Sequence, residues 1–205
     1  HAGELAFGRV PPAALRDHIR KAVDAGAQRI GHGVAIALED DALTTMERMA
    51  REGVAVEINL TSNAVILGVK GADHPLALYR KLGVPVALST DDEGILRTDM
   101  TQEYARAVRE QGLGYSDLKA MARASLEYAF VAGDSIWDHG RVGTPVAACA
   151  PSFQAATCTA LIARSARAKL QWALEQQYRQ FEEVTVPAQA KMLGGTHEDK
   201  SASVQ

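Results

Sequence analysis

A chain of 205 residues suffices for one sizeable domain, and 47% apolar with 23% charged residues is an ordinary globular balance. A net charge of -3 gives no electrostatic case for nucleic acid or an anionic membrane surface. No apolar run approaches the ~18 residues that span a bilayer, and Cys149 with Cys158 alone excludes both a cysteine-rich scaffold and a cysteine zinc site.

The chain opens at His1 rather than Met, inside what reads as a site motif, His1-Ala2-Gly3-Glu4. The expectation is that a natural amino-terminal region precedes it, so no leader can be sought. Pro11-Pro12 start a helix with Leu15, Ile19, Ala22 and Val23 on one face and Gly26 as its cap. His18 falls on the opposite, solvated face. Gln28 to His32 reads as a short strand ending in Gly31-His32-Gly33. A helix from about Asp41 to Glu52 carries Leu43, Met46, Met49 and Ala50 inward, and Gly53 ends it. Val54 to Leu60 alternates apolar residues with Ala, Glu and Asn, as a strand does, and leads to Thr61-Ser62-Asn63. Pro75 starts a third helix, with His74 at its entrance and Gly83 at its end. The run Val84-Pro85-Val86-Ala87-Leu88 then forms a buried strand that delivers Asp91 and Asp92.

Beyond Asp92 the pattern turns helical. Thr98-Asp99 or Thr101 caps a helix through Glu110, and Ser116 caps another carrying Leu118, Met121, Leu126 and Ala129. Trp137 to Pro151 is loop-like, and Phe153 to Val184 is helical again. The expected division is residues 1–140 as barrel and first flanking helices, 141–193 as a loop and helical extension, and 194–205 as a disordered tail.

Polar clusters stand at residues 1–4, 32, 61–63 and 91–92, at the period of a βα unit. Repeated units argue for a parallel sheet covered by helices. A (β/α)8 barrel gathers such strand ends at one mouth, whereas an open doubly wound sheet concentrates its chemistry at one switch point. The expected fold is therefore α/β, the C-terminal half of a (β/α)8 metal-dependent hydrolase barrel with an added C-terminal helical layer.

Imidazoles and carboxylates at one such mouth suit a zinc ion that keeps a position open for water. Neighbouring residues at a strand end point apart, so Asp91 and Asp92 need different partners. Each residue also has a plainer reading. Asp91 to Gly94 makes an acceptable acidic turn, His32 between glycines suits a tight turn, and His1 and Glu4 can be solvated. Glu57, Asn59 and Asn63 are either inward-facing supports of a metal site or ordinary polar residues.

Taken together, His1-Ala2-Gly3-Glu4, Arg29-Ile30-Gly31-His32-Gly33 and Ser89-Thr90-Asp91-Asp92 resemble successive motifs of the adenosine/AMP deaminase family. Glu57 to Asn63, His74-Pro75 and Thr101 to Tyr104 extend the resemblance to about Trp137. The form is similar to the adenosine deaminase branch, including its secreted growth-factor-related type and bacterial relatives. The resemblance implies a single zinc ion with His1 and Asp91 among its ligands. It implies Glu4 as the proton donor to purine N1, His32 as the holder of the attacking water, and Asp92 and Gly3 as substrate-binding residues. The implied reaction is hydrolysis of adenosine to inosine and ammonia.

Glu93 departs from the family's proline, and the family's first-strand His-x-His is not in this sequence. The sequence is thus expected to represent the family's C-terminal half only, and to be inactive alone. The alternatives are a deaminase of adenine, AMP or a modified adenosine, and a growth-factor-like barrel without catalysis. The expected partner is a small purine nucleoside, with neither nucleic acid nor membrane. Cytoplasmic and periplasmic or secreted locations both remain open, since Cys149 and Cys158 either pair or stay reduced.

Overall fold

Residues 1–187 are described by the structure, a computed structural model. The chain divides into two compact units, residues 1–130 with 139–144, and residues 131–138 with those from 145 onward.

The first unit is built on three parallel strands in the order β1 (Arg29–Gly31), β2 (Ala55–Ile58), β3 (Val86–Leu88). The register sets Ile30 beside Val56 and Val56 beside Val86, so one apolar row crosses the sheet. β2 is buried on both faces, as expected of a parallel strand with covered faces. Its half-buried exception, Glu57, accepts from Arg29 Nε at 2.7 Å.

The helices bury their apolar stripes against this sheet. In Ala42–Glu52 these are Met46 and Met49, in Leu76–Lys81 they are Leu76 and Tyr79, and in Tyr115–Glu127 Met121. Gly53 ends the first of these in the left-handed conformation, φ 70°, with its N–H on Met49 O. Asp99 caps Met100–Gln111 by accepting from Gln102 N at 2.8 Å.

Several expectations shift in detail. The first predicted helix is split into a 3-10 turn, Pro12–Leu15, and an α-helix, His18–Asp24. The N-terminus of His18–Asp24 is capped from afar. The buried Glu39 carboxylate accepts from Ile19 N and Arg20 N, and burial raises its pKa above the ordinary carboxylate value. The predicted strand to Leu60 stops at Ile58, because Asn59 leaves the ladder and a short helical turn, Leu60–Ser62, follows. The expected Ser116 cap is also displaced: the helix begins at Tyr115, after Gly114 N donates to Asp117 Oδ2 at 2.9 Å.

The expected fold class needs correction. The parallel strands form an open sheet of three, lying between residues 29 and 88 in the early and middle chain. The other described strands, Trp137–Asp138 and Arg141–Pro145 in the stretch expected to be loop-like, are not part of it, and no barrel is closed among the described residues. Closure needs tilted, staggered strands in larger number, about eight in the smallest such barrels. Beyond Ala2, which makes a single parallel bridge with His32, nothing among the described residues extends the sheet past β1. The described residues after 100 are mainly helical.

The second unit holds a helical pair, Ala156–Arg164 and Ala166–Gln180. The predicted continuous helix is broken at Ser165, whose Oγ accepts from Ala168 N at 3.1 Å and donates to Asp134 O at 2.6 Å. Cys149 and Cys158 form a disulfide that ties the preceding loop to the first helix of the pair. Phe153 stacks on Trp172 with ring centroids 5.1 Å apart. The expected disordered tail, 194–205, and the last residues of the expected helical extension lie outside the described residues. No helix among the described residues is long and apolar enough to cross a membrane.

Candidate metal centre

The carboxyl ends of the three strands deliver His32, Asn59 and the Ser89–Asp91 turn to one end of the sheet. Ligand sites in parallel sheets characteristically open there. The first four residues join them: Ala2 N donates to Gly31 O at 3.2 Å, and Gly33 N donates to Ala2 O at 3.0 Å. These bonds bring His1 beside His32, with ring centroids 4.7 Å apart.

Both residues that turn inward do so through left-handed backbone, His32 at φ 73° and Asp91 at φ 56°. Such conformations are uncommon outside glycine and are characteristically held at functional sites. At Asp91 the left-handed residue, not strand alternation, separates the two carboxylates. Asp91 turns in, while Asp92 stays exposed ahead of the short helix Glu93–Leu96.

His1, His32 and Asp91 each offer one ligand atom, and these atoms lie within 4.8 Å of one another. A compact set of imidazole and carboxylate donors is positioned to hold a divalent metal, and the donor type suits zinc. Glu4 sits between the histidines, its Oε2 3.3 Å from His1 Nδ1 and 3.5 Å from His32 Nε2. His32 Nε2 is 3.9 Å from Asp91 Oδ2. A cleft of about 430 Å³ lined by His1, Arg29, Gly31 and Glu57 opens beside the cluster, within the size range of small-molecule sites. A second cleft of about 340 Å³ lies at the opposite end of β3, around Arg80, Val84 and Asp117, and shares no residue with the cluster.

Gly3 is part of the scaffold. Its N–H donates to His18 Nδ1 at 2.9 Å, and its carbonyl accepts from Ala35 N at 2.9 Å. His18, expected only to be solvated, therefore ties the first residues to helix His18–Asp24.

A set of supports surrounds the cluster. Ser62 Oγ donates to Asp91 Oδ2 at 2.7 Å. The preceding residue, Thr61, is held in turn by Glu103, a buried carboxylate that accepts from Thr61 N at 3.2 Å and Thr98 Oγ1 at 3.1 Å. Asn59 and Asn63 both approach His32 Nδ1, at 3.2 and 3.0 Å, so the two asparagines meet the site while Glu57 turns to Arg29. The role of Ser62 has no signal in the sequence beyond its place after a strand. Because supports orient ligands, Ser62→Ala is expected to weaken zinc affinity about 10–100-fold in competition with a chromogenic chelator. An unchanged affinity would show that Asp91 needs no such orientation.

A parallel α/β sheet with imidazole and carboxylate donors gathered at its strand ends defines a metal-binding protein of the hydrolase type. The family model for adenosine deaminase matches residues 1–136. An adenosine deaminase of Salmonella schwarzengrund is 38% identical over 135 residues, 65% of this chain and 38% of the relative. An adenine deaminase of Sinorhizobium fredii is 39% identical over 132 residues, 64% of this chain and 38% of that protein. Among solved structures, the N6-methyl-AMP deaminase of Arabidopsis thaliana superposes with a TM-score of 0.51 at 33% identity. That match covers 64% of this chain and 36% of the other.

The chain belongs to the adenosine deaminase family. It spans about 38% of the length of these curated relatives. The matches also correct the expected placement, a C-terminal half of the growth-factor-related type. What aligns is residues 1–136, the amino-terminal two thirds of this chain, and the relatives named are bacterial adenosine and adenine deaminases. The physical reason is that the strand-and-site repeat ends at Asp92, and the residues beyond 136 build a separate helical pair.

Proposed function

We propose that this chain carries catalytic residues of a zinc-dependent aminohydrolase that converts adenosine to inosine and ammonia. The observation that supports it most is the placing of Glu4 between His1 and His32, within 3.5 Å of both. In this reading His1 and Asp91 hold the metal. A zinc ion there supplies Lewis-acid activation of water near neutral pH. His32 holds and orients the attacking water through its ring. Glu4 delivers a proton to purine N1 as C6 is attacked, which its reach to the centre of the cluster permits. Asp92, exposed at the rim, pairs with purine N7. Gly3 borders the substrate, its N–H exchanging His18 for the purine. Adenine is the second reading, since an adenine deaminase is as similar to the chain as an adenosine deaminase. The Cys149–Cys158 disulfide favours a periplasmic or secreted location.

The test follows inosine formation by ultraviolet absorbance, with and without a chelator. It uses the chain alone and the chain supplied with the part of the Salmonella relative outside the alignment. Chelator-sensitive turnover in either assay, reduced about 10²–10⁴-fold in Glu4→Gln, is the expected result. Turnover of adenine or AMP instead of adenosine would change the substrate assigned. No turnover of any aminopurine, with zinc bound, would overturn the enzyme reading.

A further inference from the structure

Three groups below the cluster form a hydrogen-bonded line that begins on the backbone and ends on His32. Leu76 N donates to His74 Nδ1 at 3.2 Å. A backbone N–H can only donate, so Nδ1 of His74 is an acceptor and carries no proton. Burial lowers the His74 pKa to about 4, so the ring is neutral at physiological pH and its one proton is on Nε2. That Nε2–H donates to Asn63 Oδ1 at 3.0 Å. Asn63 is buried, and with its oxygen committed it turns its NH2 to His32 Nδ1 at 3.0 Å. Asn59 Nδ2 competes for the same single lone pair at 3.2 Å. Its own Oδ1 has no partner among the described residues, so nothing anchors its orientation as His74 anchors Asn63.

We propose that His74, acting through Asn63, is a positioning residue that holds His32 as its Nε2–H tautomer, so that His32 meets the metal cluster as a hydrogen-bond donor. The Nε2–H faces Glu4 Oε2 and Asp91 Oδ2. A protonated ring nitrogen has no lone pair for a metal, which leaves His1 and Asp91 as the donors of the cluster that ligate. For His32 to ligate through Nε2, its proton must move to Nδ1 and Asn63 must turn over. That turn would set the Asn63 NH2 against His74 Nε2–H, and relieving it would set a His74 Nδ1–H against the Leu76 N–H. The conflict passes down the line to a group that cannot change. The use made of the donor rests on the deaminase reading; the tautomer does not.

Long-range proton–nitrogen NMR of the 15N-labelled chain, after chelator treatment and at neutral pH, reads the tautomer of each ring directly. His32 and His74 are both expected to show a protonated Nε2 and a bare Nδ1. His74→Gln, which can still donate to Asn63 and accept from Leu76 N, is expected to keep His32 in that state. His74→Phe is expected to leave His32 as a mixture. Asn63→Asp replaces the nearer donor with an acceptor, and Asn59, whose Oδ1 is unanchored, can turn to accept as well, so the proton is expected to move to His32 Nδ1. A His32 with its proton on Nδ1 in the unaltered chain overturns the proposal. So does a His32 left unchanged by Asn63→Asp, which decides the matter if His74→Phe fails to fold. Loss of the His32 Nε2 proton on addition of zinc overturns it as well. Absent deaminase activity with the Nε2–H tautomer in place would sink the deaminase reading alone.

Discussion

Lowering the pH from neutral to about 4 is expected to cost the folded chain about 3 kcal/mol through His74 alone. Burial holds the folded-state pKa of His74 at about 4, against 6.5 for the exposed imidazole. Above 6.5 the ring is neutral in both states, and its contribution to stability is fully present. Between 6.5 and about 4 the unfolded chain takes up a proton that the folded chain refuses, and the stability is lost progressively. Below about 4 both states are charged and the loss stops. Glu39 acts with the opposite sign, since burial raises its pKa in the fold. Its contribution is common to the parent and a His74→Gln variant and cancels between them. Denaturant unfolding of both proteins across this pH range checks the expectation. Parallel pH profiles would show that His74 is not held neutral by the fold.

The second large effect is expected at Gly33, which follows His32 in the chain. Gly33 has φ +62°, and a Cβ there would lie 2.6 Å from Tyr79 Oη and 3.0 Å from Val56 Cγ1. Tyr79 is fully buried and donates to Gly33 O at 2.6 Å, so its ring cannot swing aside. Gly33→Ala therefore combines left-handed strain of about 1–2 kcal/mol with overpacking of about 1–3 kcal/mol. A loss of about 3 kcal/mol in unfolding free energy is expected, against about 1 kcal/mol for Tyr79→Phe, which removes the hydrogen bond and leaves the space. The same variant should disturb the His32 ring resonances, because His32 reaches the cluster through this turn. A Gly33→Ala protein as stable as its parent would mean that the sheet can part at this point.

The sequence determines the order of strands and helices, because apolar period and turn residues act over a few neighbours. It marks Gly31-His32-Gly33 and Asp91 as candidates in the same way, by placing them at the ends of apolar runs, and Glu4 by its place in the His1-Ala2-Gly3-Glu4 cluster. It also separates Asp91 from Asp92, although the cause is a left-handed residue and not strand alternation. The barrel expected from the βα period does not follow from three strands, since closure is a property of the whole sheet. Only the tertiary structure shows Glu39 capping a helix that starts about twenty residues earlier, Ser62 holding Asp91, and His74 reaching His32 through Asn63. These partners are distant in sequence. Hydrogen bonds depend on distances of tenths of an ångström and on direction, which a periodic pattern of residue types does not encode.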